Sequence, residues 1–198
     1  MDKFSYAIGL GIGQNLWSMG ARGLVVEDFA QAVKDVLDGN ETAISHTEAR
    51  EIVNKYFEEL EKKVNAENIE KGKQLLEQNK QRPEVVTLPS GLQYEVIVPG
   101  NPDAPRATLT DRVQCHYEGT LVDGTLFDSS VRRGQPATFG VNQVIPGWVE
   151  ALQLMPEGAK WKLYIPSNLA YGAQGAGELI PPHSTLVFEI ELLKVIKS

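Results

Sequence analysis

This sequence of 198 residues has two parts, in which apolar residues recur at different spacings. Up to about residue 80, apolar residues recur every three or four positions, which predicts helices. Two such segments lie at 4–19 and 27–37, and a third begins at the capping-box sequence 45–48 and continues to about Lys80 without a proline. From residue 82 onward, apolar and polar residues alternate, which is typical of strands. The chain is therefore predicted to be helical first and mainly β afterwards.

The third predicted helix has two unlike halves. It is about 35 residues long, which corresponds to roughly 50 Å at 1.5 Å per residue. Its second half, residues 65–80, is mostly charged and polar, and a helix that is polar all round usually bridges domains through solvent. We interpret this half as an exposed arm away from any core. The apolar stripe of the first half consists of Ile52, Val53, Tyr56, Phe57, Leu60 and Val64.

The apolar faces of the first 60 or so residues need a partner, because two short helices and half of a long one cannot bury them alone. Gly9 and Gly13 fall on one helix face, where another backbone could approach closely; a bent or frayed helix is the alternative explanation of these glycines. We predict a homodimer through residues 1–64 with interleaved helices. Docking onto the chain's own C-terminal part is the alternative.

A hairpin turn, one helix and a long loop separate the predicted strands. Asp123-Gly124 is typical of a hairpin turn. Pro146 predicts the start of a short helix, because proline fits the first helical turn. The loop from Ser167 to His183 is long for a compact domain, and such loops are usually functional. The pattern predicts an α+β domain, with an antiparallel sheet wrapped around one short helix. Its predicted strands lie at about 92–98, 112–122, 125–130, 138–141, 161–165 and 186–192.

Charge and cysteine content exclude several classes of function. The net charge of −7 argues against nucleic acid or an anionic membrane surface as a partner. No apolar stretch reaches the roughly 18 residues of a membrane span. The single cysteine, Cys115, excludes an internal disulfide and a cysteine-based metal site. His46, His116 and His183 are not spaced as metal ligands, so we predict no metal and no other cofactor.

The N-terminal residues do not have the pattern of a secretory signal peptide. Their apolar residues are interrupted by polar residues and glycines, without a basic region before them. We expect a cytoplasmic location, or a periplasmic or outer-membrane location if a leader has been removed.

Aromatic residues recur where the predicted strands meet loops. Tyr117 and Tyr171 carry hydroxyls, and Asp128 directly follows Phe127. An apolar cup with a few placed polar groups is typical of a small binding pocket. The alternative is that all of these aromatic residues are ordinary core, with Trp148 closing it. The positions are Tyr117, Phe127, Phe139, Trp148, Tyr171 and Phe188.

Five motifs in the predicted β part of the chain occur in a recognisable order. They are His116-Tyr117-Glu118-Gly119, Asp123-Gly124-Thr125-Leu126-Phe127-Asp128-Ser129-Ser130, Val144-Ile145-Pro146-Gly147-Trp148, Ala170-Tyr171-Gly172 and Ile180-Pro181-Pro182-His183-Ser184-Thr185-Leu186-Val187-Phe188. With these motifs, residues 88–198 resemble an FKBP-type peptidyl-prolyl cis-trans isomerase domain along their whole length. Residues 1–87 are similar, less specifically, to the helical dimerisation region and connecting helix of the Mip-like bacterial branch of that family. We therefore expect a dimerisation region at 1–45, a connecting helix at 46–81 and an isomerase domain at 82–198.

The resemblance implies an enzyme that accelerates X–Pro isomerisation in protein folding, as a V-shaped homodimer with chaperone activity. It implies unfolded or flexible prolyl-containing chains as substrates and macrolides as inhibitors. Trp148 matches the pocket floor, and the Ile145 N–H and Tyr171 hydroxyl match donors to a bound carbonyl. The implied catalytic residues are Tyr117, Phe127, Asp128 and Tyr171, and the implied substrate-binding residues are Phe139, Val144, Ile145, Trp148, Ile180 and Phe188.

Two positions depart from the family pattern, and the role of a third has two interpretations. Ala137 stands where the family has an aromatic residue, and Ala176 stands where a histidine or a bulkier residue is frequent. Both are expected at the pocket rim, where they would alter substrate preference. Asp128 either faces the twisted carbonyl or orients a donor, or it makes a structural hydrogen bond or ion pair with Tyr117 or Arg133.

Two other functions compete with the isomerase. The first is a non-enzymatic chaperone or scaffold whose pocket only grips prolyl segments, and the near-complete set of pocket motifs speaks against it. The second is a metal-handling protein, which lacks support because the His/Cys-rich tail or insert of some relatives is missing.

Overall fold

The computed structural model describes all residues from Met1 to Ser198, and the chain divides into two compact units, Met1–Lys63 and Val64–Ser198. The boundary falls inside the longest helix. None of the helices combines the length and the apolar character that crossing a lipid bilayer requires. The helices are α1 (Lys3–Ser18), α2 (Val26–Asp38), α3 (His46–Asn79) and α4 (Pro146–Leu154).

Capping residues set the ends of the N-terminal helices. Asp2 begins α1, because its Oδ1 accepts a 2.8 Å hydrogen bond from the Ser5 N–H. The predicted cap of α3 is present, since Ser45 Oγ accepts from the Glu48 N–H at 3.1 Å. Gly39 adopts the left-handed conformation that ends α2. The three predicted helices are therefore confirmed to within one or two residues at each end.

The first unit leaves much apolar surface open to solvent. No residue of α1 or α2 is buried. Phe4 is 75% exposed, Trp17 57% and Leu37 79%. These side chains are apolar enough to form a core, and a single copy of this unit does not provide one for them.

The second unit is a seven-stranded antiparallel sheet with α4 packed on it. Neighbouring strands follow the order β1-β2-β6-β7-β3-β4. The seventh strand, β5, pairs with residues 112–115 of β3. The predicted antiparallel α+β architecture is thus confirmed. Only β1 lies outside the predicted strands, because three residues are too few to show a period. The strands are β1 (Val85–Thr87), β2 (Gln93–Val98), β3 (Arg112–Leu121), β4 (Leu126–Ser129), β5 (Ala137–Gly140), β6 (Lys160–Ile165) and β7 (Leu186–Ile196).

Helix α4 lies very close to the sheet. It begins at Pro146, as predicted, after the extended residue Ile145. A Cβ added to Gly147 would lie 2.5 Å from Cγ2 of Ile165 on β6, so only glycine fits there. Trp148 and Leu152 are buried on the side of α4 that faces the core. This close approach brings the beginning of α4, with Trp148, against the sheet.

The prediction that residues 65–80 form an arm away from any core is wrong for one face of the helix. Asn68 Nδ2 donates a 3.0 Å hydrogen bond to the carbonyl of Pro182, and the Leu76 carbonyl accepts one of 2.8 Å from Gln93 Nε2. Gly72 is buried against Thr185. The contact uses amides, a glycine and a main-chain carbonyl, so a search for apolar periodicity cannot detect it.

Candidate active site

A cavity of about 620 Å³ opens on the second unit between the start of α4, strands β3 to β5 and the loop that precedes β7. The structure brings all the predicted catalytic and substrate-binding residues to this cavity. Three further residues contribute to the lining: Ala176, which was expected at the rim, and Gln143 and Leu179, which no sequence pattern assigned to the site. The lining consists of Tyr117, Phe127, Asp128, Phe139, Gln143, Val144, Ile145, Trp148, Tyr171, Ala176, Leu179, Ile180 and Phe188.

Trp148 forms the bottom of the cavity and is only 4% exposed. Three aromatic rings meet it nearly edge to face: Tyr117 at 5.2 Å, Phe139 at 5.7 Å and Phe188 at 5.1 Å between centroids. Such arrangements contribute about 0.5–1.5 kcal/mol each beyond the burial of area. The same ring is therefore part of the hydrophobic core and of the cavity surface, and the two alternatives for Trp148 are both realised.

Gly119 on β3 makes room for two aromatic walls. Phe127 and Phe188 pack edge to face with centroids 5.4 Å apart. A Cβ on Gly119 would lie 2.6 Å from Phe188 and 2.7 Å from Phe127. Gly119 lies in one of the sequence motifs, but the motif alone assigned it no role. Its position could have indicated this role, because a glycine at an inward position of a strand often marks a place where other atoms approach the backbone closely.

Two hydrogen-bond donors are available at the cavity. Ile145 precedes the first turn of α4, where the N–H of the capping residue has no acceptor within the helix. Its carbonyl is already used, because it accepts from the N–H groups of Trp148 at 2.9 Å and Val149 at 3.1 Å. Tyr171 is 41% exposed on the opposite loop. An amide donor and a hydroxyl donor thus border a surface that is mainly aromatic and aliphatic.

Asp128 is bound on both carboxylate oxygens. Tyr117 donates its hydroxyl proton to Oδ2 at 2.6 Å, and Arg133 forms an ion pair with Oδ1. Arg133 also donates to the Tyr117 hydroxyl oxygen at 2.9 Å. The hydrogen bond and ion pair of the structural alternative are therefore both present, with both of the partners named for it. Arg133 is a further residue that holds the cavity wall.

These contacts keep the charges of the three groups fixed near neutral pH. Partial burial alone would raise the pKa of Asp128, but the hydrogen bonds from Tyr117 and Arg133 outweigh burial and lower the pKa below its ordinary value. The pKa of Tyr117 is raised, first by burial and then by its hydrogen bond to Asp128. Asp128 is therefore an anion and Tyr117 a neutral donor.

The rim of the cavity differs from the prediction at one position. Ala176 lines it, and the exposed side chain of Leu179 lies on the same loop. Ala137 does not line it, because it pairs with Cys115 in the sheet and packs against the core. Gln143, which directly precedes the motif that leads into α4, is an additional polar wall residue. A small residue at position 176 widens the entrance.

The cysteine and the histidines lie outside this chemistry. Burial of Cys115 raises the pKa of its thiol to about 12, so it is not a thiolate nucleophile. His116 lies on the face of β3 opposite Tyr117, and its Nδ1 is 3.1 Å from Ser130 Oγ. No group of three or more His, Cys, Asp or Glu residues is arranged to hold a metal ion. The lining of the cavity itself offers aromatic surface and hydrogen-bonding groups.

Family models match nearly the whole chain. Residues 1–96 match the domain amino terminal to FKBP-type peptidyl-prolyl isomerase. Residues 104–193 match the FKBP-type peptidyl-prolyl cis-trans isomerase model. The second match contains every residue that lines the cavity.

Individual proteins give the same result. The FKBP-type 22 kDa peptidyl-prolyl cis-trans isomerase of Escherichia coli is 46% identical, over 97% of this chain and 94% of that protein. The outer membrane protein MIP of Legionella longbeachae is 41% identical, over 100% of this chain and 86% of that protein. The crystal structure of FkpA from Escherichia coli matches with a TM-score of 0.79 at 35% identity, covering 98% of this chain and 96% of that one. The chain therefore belongs to the FKBP-type peptidyl-prolyl cis-trans isomerase family and is a peptidyl-prolyl cis-trans isomerase.

Proposed function

We propose that the cavity accelerates rotation about X–Pro bonds by taking the amide out of water, without covalent chemistry. The barrier of about 18–20 kcal/mol comes from amide resonance, which separates charge between oxygen and nitrogen. Twisting removes this resonance and its dipole. An apolar cavity therefore disfavours the planar amide relative to the twisted one, and only such differential binding accelerates a reaction. The observation that carries this proposal is the aromatic floor and walls around Trp148.

The lining residues divide into two roles in this proposal. Ile145 N–H and the Tyr171 hydroxyl hold the carbonyls that flank the bond, so that the twist is confined to it. Phe127 and Tyr171 contact the part of the substrate that rotates about the X–Pro bond. The prolyl ring is desolvated by Phe139, Val144, Ile145, Trp148, Ile180 and Phe188.

Asp128 acts through Tyr117 in this proposal. Both of its oxygens are engaged, and an ionised carboxylate would repel a carbonyl oxygen at contact distance. Of the two catalytic interpretations, the geometry favours the orientation of a donor over contact with the twisted carbonyl. Asp128 and Arg133 together fix the direction of the Tyr117 ring and hydroxyl.

A solvent isotope effect tests the absence of proton transfer. If no proton moves in the rate-limiting step, kcat/KM for a prolyl peptide is the same in H₂O and D₂O after correction for viscosity. General acid–base catalysis would slow the reaction in D₂O. A substantial normal isotope effect would contradict the desolvation mechanism.

We further propose that residues 1–64 form a V-shaped homodimer that adds chaperone activity. Support comes from the exposed apolar side chains of α1 and α2, and from the match to the amino-terminal family model. A shallow groove on α1 includes Gly9 and Gly13, and a Cβ at either glycine would meet no atom within 4 Å. The open space would receive a helix of a second copy.

Light scattering tests the dimer. The 21.8 kDa chain is expected to scatter at twice its mass. Gly9→Leu should weaken the dimer, whereas Gly11→Leu is the matched control, because Gly11 does not line the groove. A monomeric chain, or equal behaviour of the two variants, would refute this arrangement.

We propose unfolded or flexible prolyl-containing chains as substrates and macrolides as inhibitors. The cavity volume lies within the range of about 300–1,000 Å³ that is usual for small-molecule sites. The cytoplasmic location expected from the N-terminal residues has no support in the comparisons, and one relative is named an outer membrane protein. We propose the periplasm or outer membrane as the compartment to test first, by cell fractionation with an antibody against the protein.

A further inference from the structure

The C-terminal half of α3 is attached to the segment that follows one wall of the cavity. Asn68, Gly72 and Leu76 are spaced four residues apart and therefore lie on one helix face. Asn68 donates to the Pro182 carbonyl at 3.0 Å, and the Leu76 carbonyl accepts from Gln93 at 2.8 Å. With Gly72 against Thr185, three successive turns of the helix are fixed on the isomerase unit.

Pro182 lies two residues after Ile180, which lines the cavity. Ala176 and Ile180 pair through two main-chain hydrogen bonds of 2.8 and 3.2 Å, which form a narrow hairpin with residues 177–179 at its tip. Ala176, Leu179 and Ile180 all line the cavity. The position of this hairpin therefore sets the position of this wall of the cavity.

The residues after the hairpin are held by contacts within the loop and by one contact from α3. Pro181 and Pro182 have no N–H to donate, so the chain cannot fix itself there through main-chain donors. The Pro181 carbonyl accepts from Ser184 Oγ at 2.7 Å, and His183 N donates to Gly172 O at 2.8 Å. The Pro182 carbonyl is held instead by Asn68 of the helix. This amide links α3 to the wall across 114 positions of sequence.

Gly72 allows the helix to come close enough for this hydrogen bond. A Cβ at position 72 would overlap Oγ1 of Thr185 and would lie 2.9 Å from its Cβ. Thr185 is buried at the start of β7, so it cannot move aside freely. A larger residue at 72 would lift the preceding turn, which carries Asn68, away from Pro182.

We propose that Asn68 is a positioning residue of the isomerase site. Its side-chain amide fixes Pro182, and Pro182 fixes the hairpin that presents Ile180 to the substrate. The C-terminal half of α3 is then part of the substrate-binding apparatus as well as a connection. This inference rests on the proposed role of Ile180 as a wall of the substrate site.

Full-length variants test the inference. Asn68→Asp removes the donor with little change of shape, Asn68→Ala removes the whole amide, and Glu67→Gln is a matched control at an exposed neighbouring position. Both Asn68 variants should lower kcat/KM for a prolyl tetrapeptide roughly three- to tenfold, the loss expected for one hydrogen bond. The loss should appear mainly in KM, because the wall contributes to binding. The δ1-methyl NMR resonance of Ile180 should shift in both and stay unchanged in Glu67→Gln.

Several outcomes would overturn the inference. Wild-type KM and an unshifted Ile180 resonance in both Asn68 variants would do so, even if their unfolding temperature fell, because Asn68 would then serve stability alone. If Asn68→Asp fails to fold, the KM and the Ile180 resonance of Asn68→Ala decide whether the inference holds. Ile180→Ala is measured alongside: full activity there would remove the premise and the inference with it. The isomerase activity itself is judged separately, by turnover of the unmodified chain.

Discussion

The hydroxyl of Tyr117 donates a 2.6 Å hydrogen bond to Oδ2 of Asp128. The same tyrosine ring lies 5.2 Å from the ring of Trp148 at an interplanar angle of 82°. An ionised carboxylate near the protein surface thus holds an aromatic wall against the cavity floor. This relationship connects the charged rim of the site to its apolar bottom.

Substitution of Asp128 should separate the need for an acceptor from the need for a charge. Asp128→Asn keeps an oxygen acceptor and should lower kcat/KM only two- to threefold, whereas Asp128→Leu should lower it about tenfold. A hydrogen bond to a charged group contributes about 1.5–3 kcal/mol, and about 1.4 kcal/mol corresponds to tenfold. Steady-state assays on a prolyl peptide provide the measurement. Full activity in both variants would show that Asp128 has no part in catalysis.

The activity should be independent of pH over a wide range. The pKa of Asp128 lies below its ordinary value and that of Tyr117 above its ordinary value. The ordinary values are about 3.9 and 10, so neither group titrates between about pH 5 and pH 9. A kcat/KM profile with a peptide that lacks ionisable side chains should be flat there. An inflection within that range would contradict a site in which neither Asp128 nor Tyr117 changes its charge.

Gly119→Ala should displace the two aromatic side chains that form walls of the cavity. The added methyl would meet Phe127 and Phe188 at 2.6–2.7 Å. Overpacking of this kind costs about 1–3 kcal/mol, and here both displaced rings line the cavity. We expect kcat/KM to fall about tenfold while the fold is retained, since the loss is local. Gly23→Ala is the control, because its Cβ would meet no atom within 4 Å; equal activity of the two variants would contradict the role of Gly119.

Two truncations should differ in peptide turnover. Residues 64–198 retain the contacts of Asn68, Gly72 and Leu76, so they should isomerise a small peptide within about twofold of the full chain, since no hydrogen bond of the site is lost. Residues 81–198 lack these contacts and should be slower. Both truncations should accelerate the refolding of a proline-limited protein less than the full chain, because they lack the proposed dimer. If 64–198 lost peptide turnover and refolding activity equally, this division of labour would be wrong.

Much of the architecture can be predicted from sequence because its signals are local. The capping oxygen of Ser45 and the proline at 146 mark helix starts through groups that act within one turn. On β3, the buried residues Val113, Cys115 and Tyr117 alternate with less buried neighbours, as the period of a strand requires. The cavity lining was predicted because its motifs resemble those of a known family, since no periodicity can place Tyr171 opposite Tyr117.

Contacts that depend on tertiary distance escape prediction. Gly72 and Gly119 have no side chain, so their importance lies in the atoms of Thr185 and Phe188 that approach them. The attachment of α3 through Asn68 joins residues far apart in sequence, and a polar residue in a charged helix gives no periodic signal. Arg133 was named as one of two partners for Asp128, but that it binds the carboxylate and the Tyr117 hydroxyl together required the fold.

The central claim is that this aromatic cavity isomerises prolyl bonds. The most direct test is the rate of cis-trans exchange of a prolyl tetrapeptide, measured by NMR with the full chain, Tyr171→Phe and Phe127→Ala. The full chain should accelerate exchange, and each variant should lose about tenfold or more, as expected when a donor or an aromatic wall of the transition-state site is removed. Exchange as fast with both variants as with the unmodified chain would contradict the assignment of this cavity as the active site.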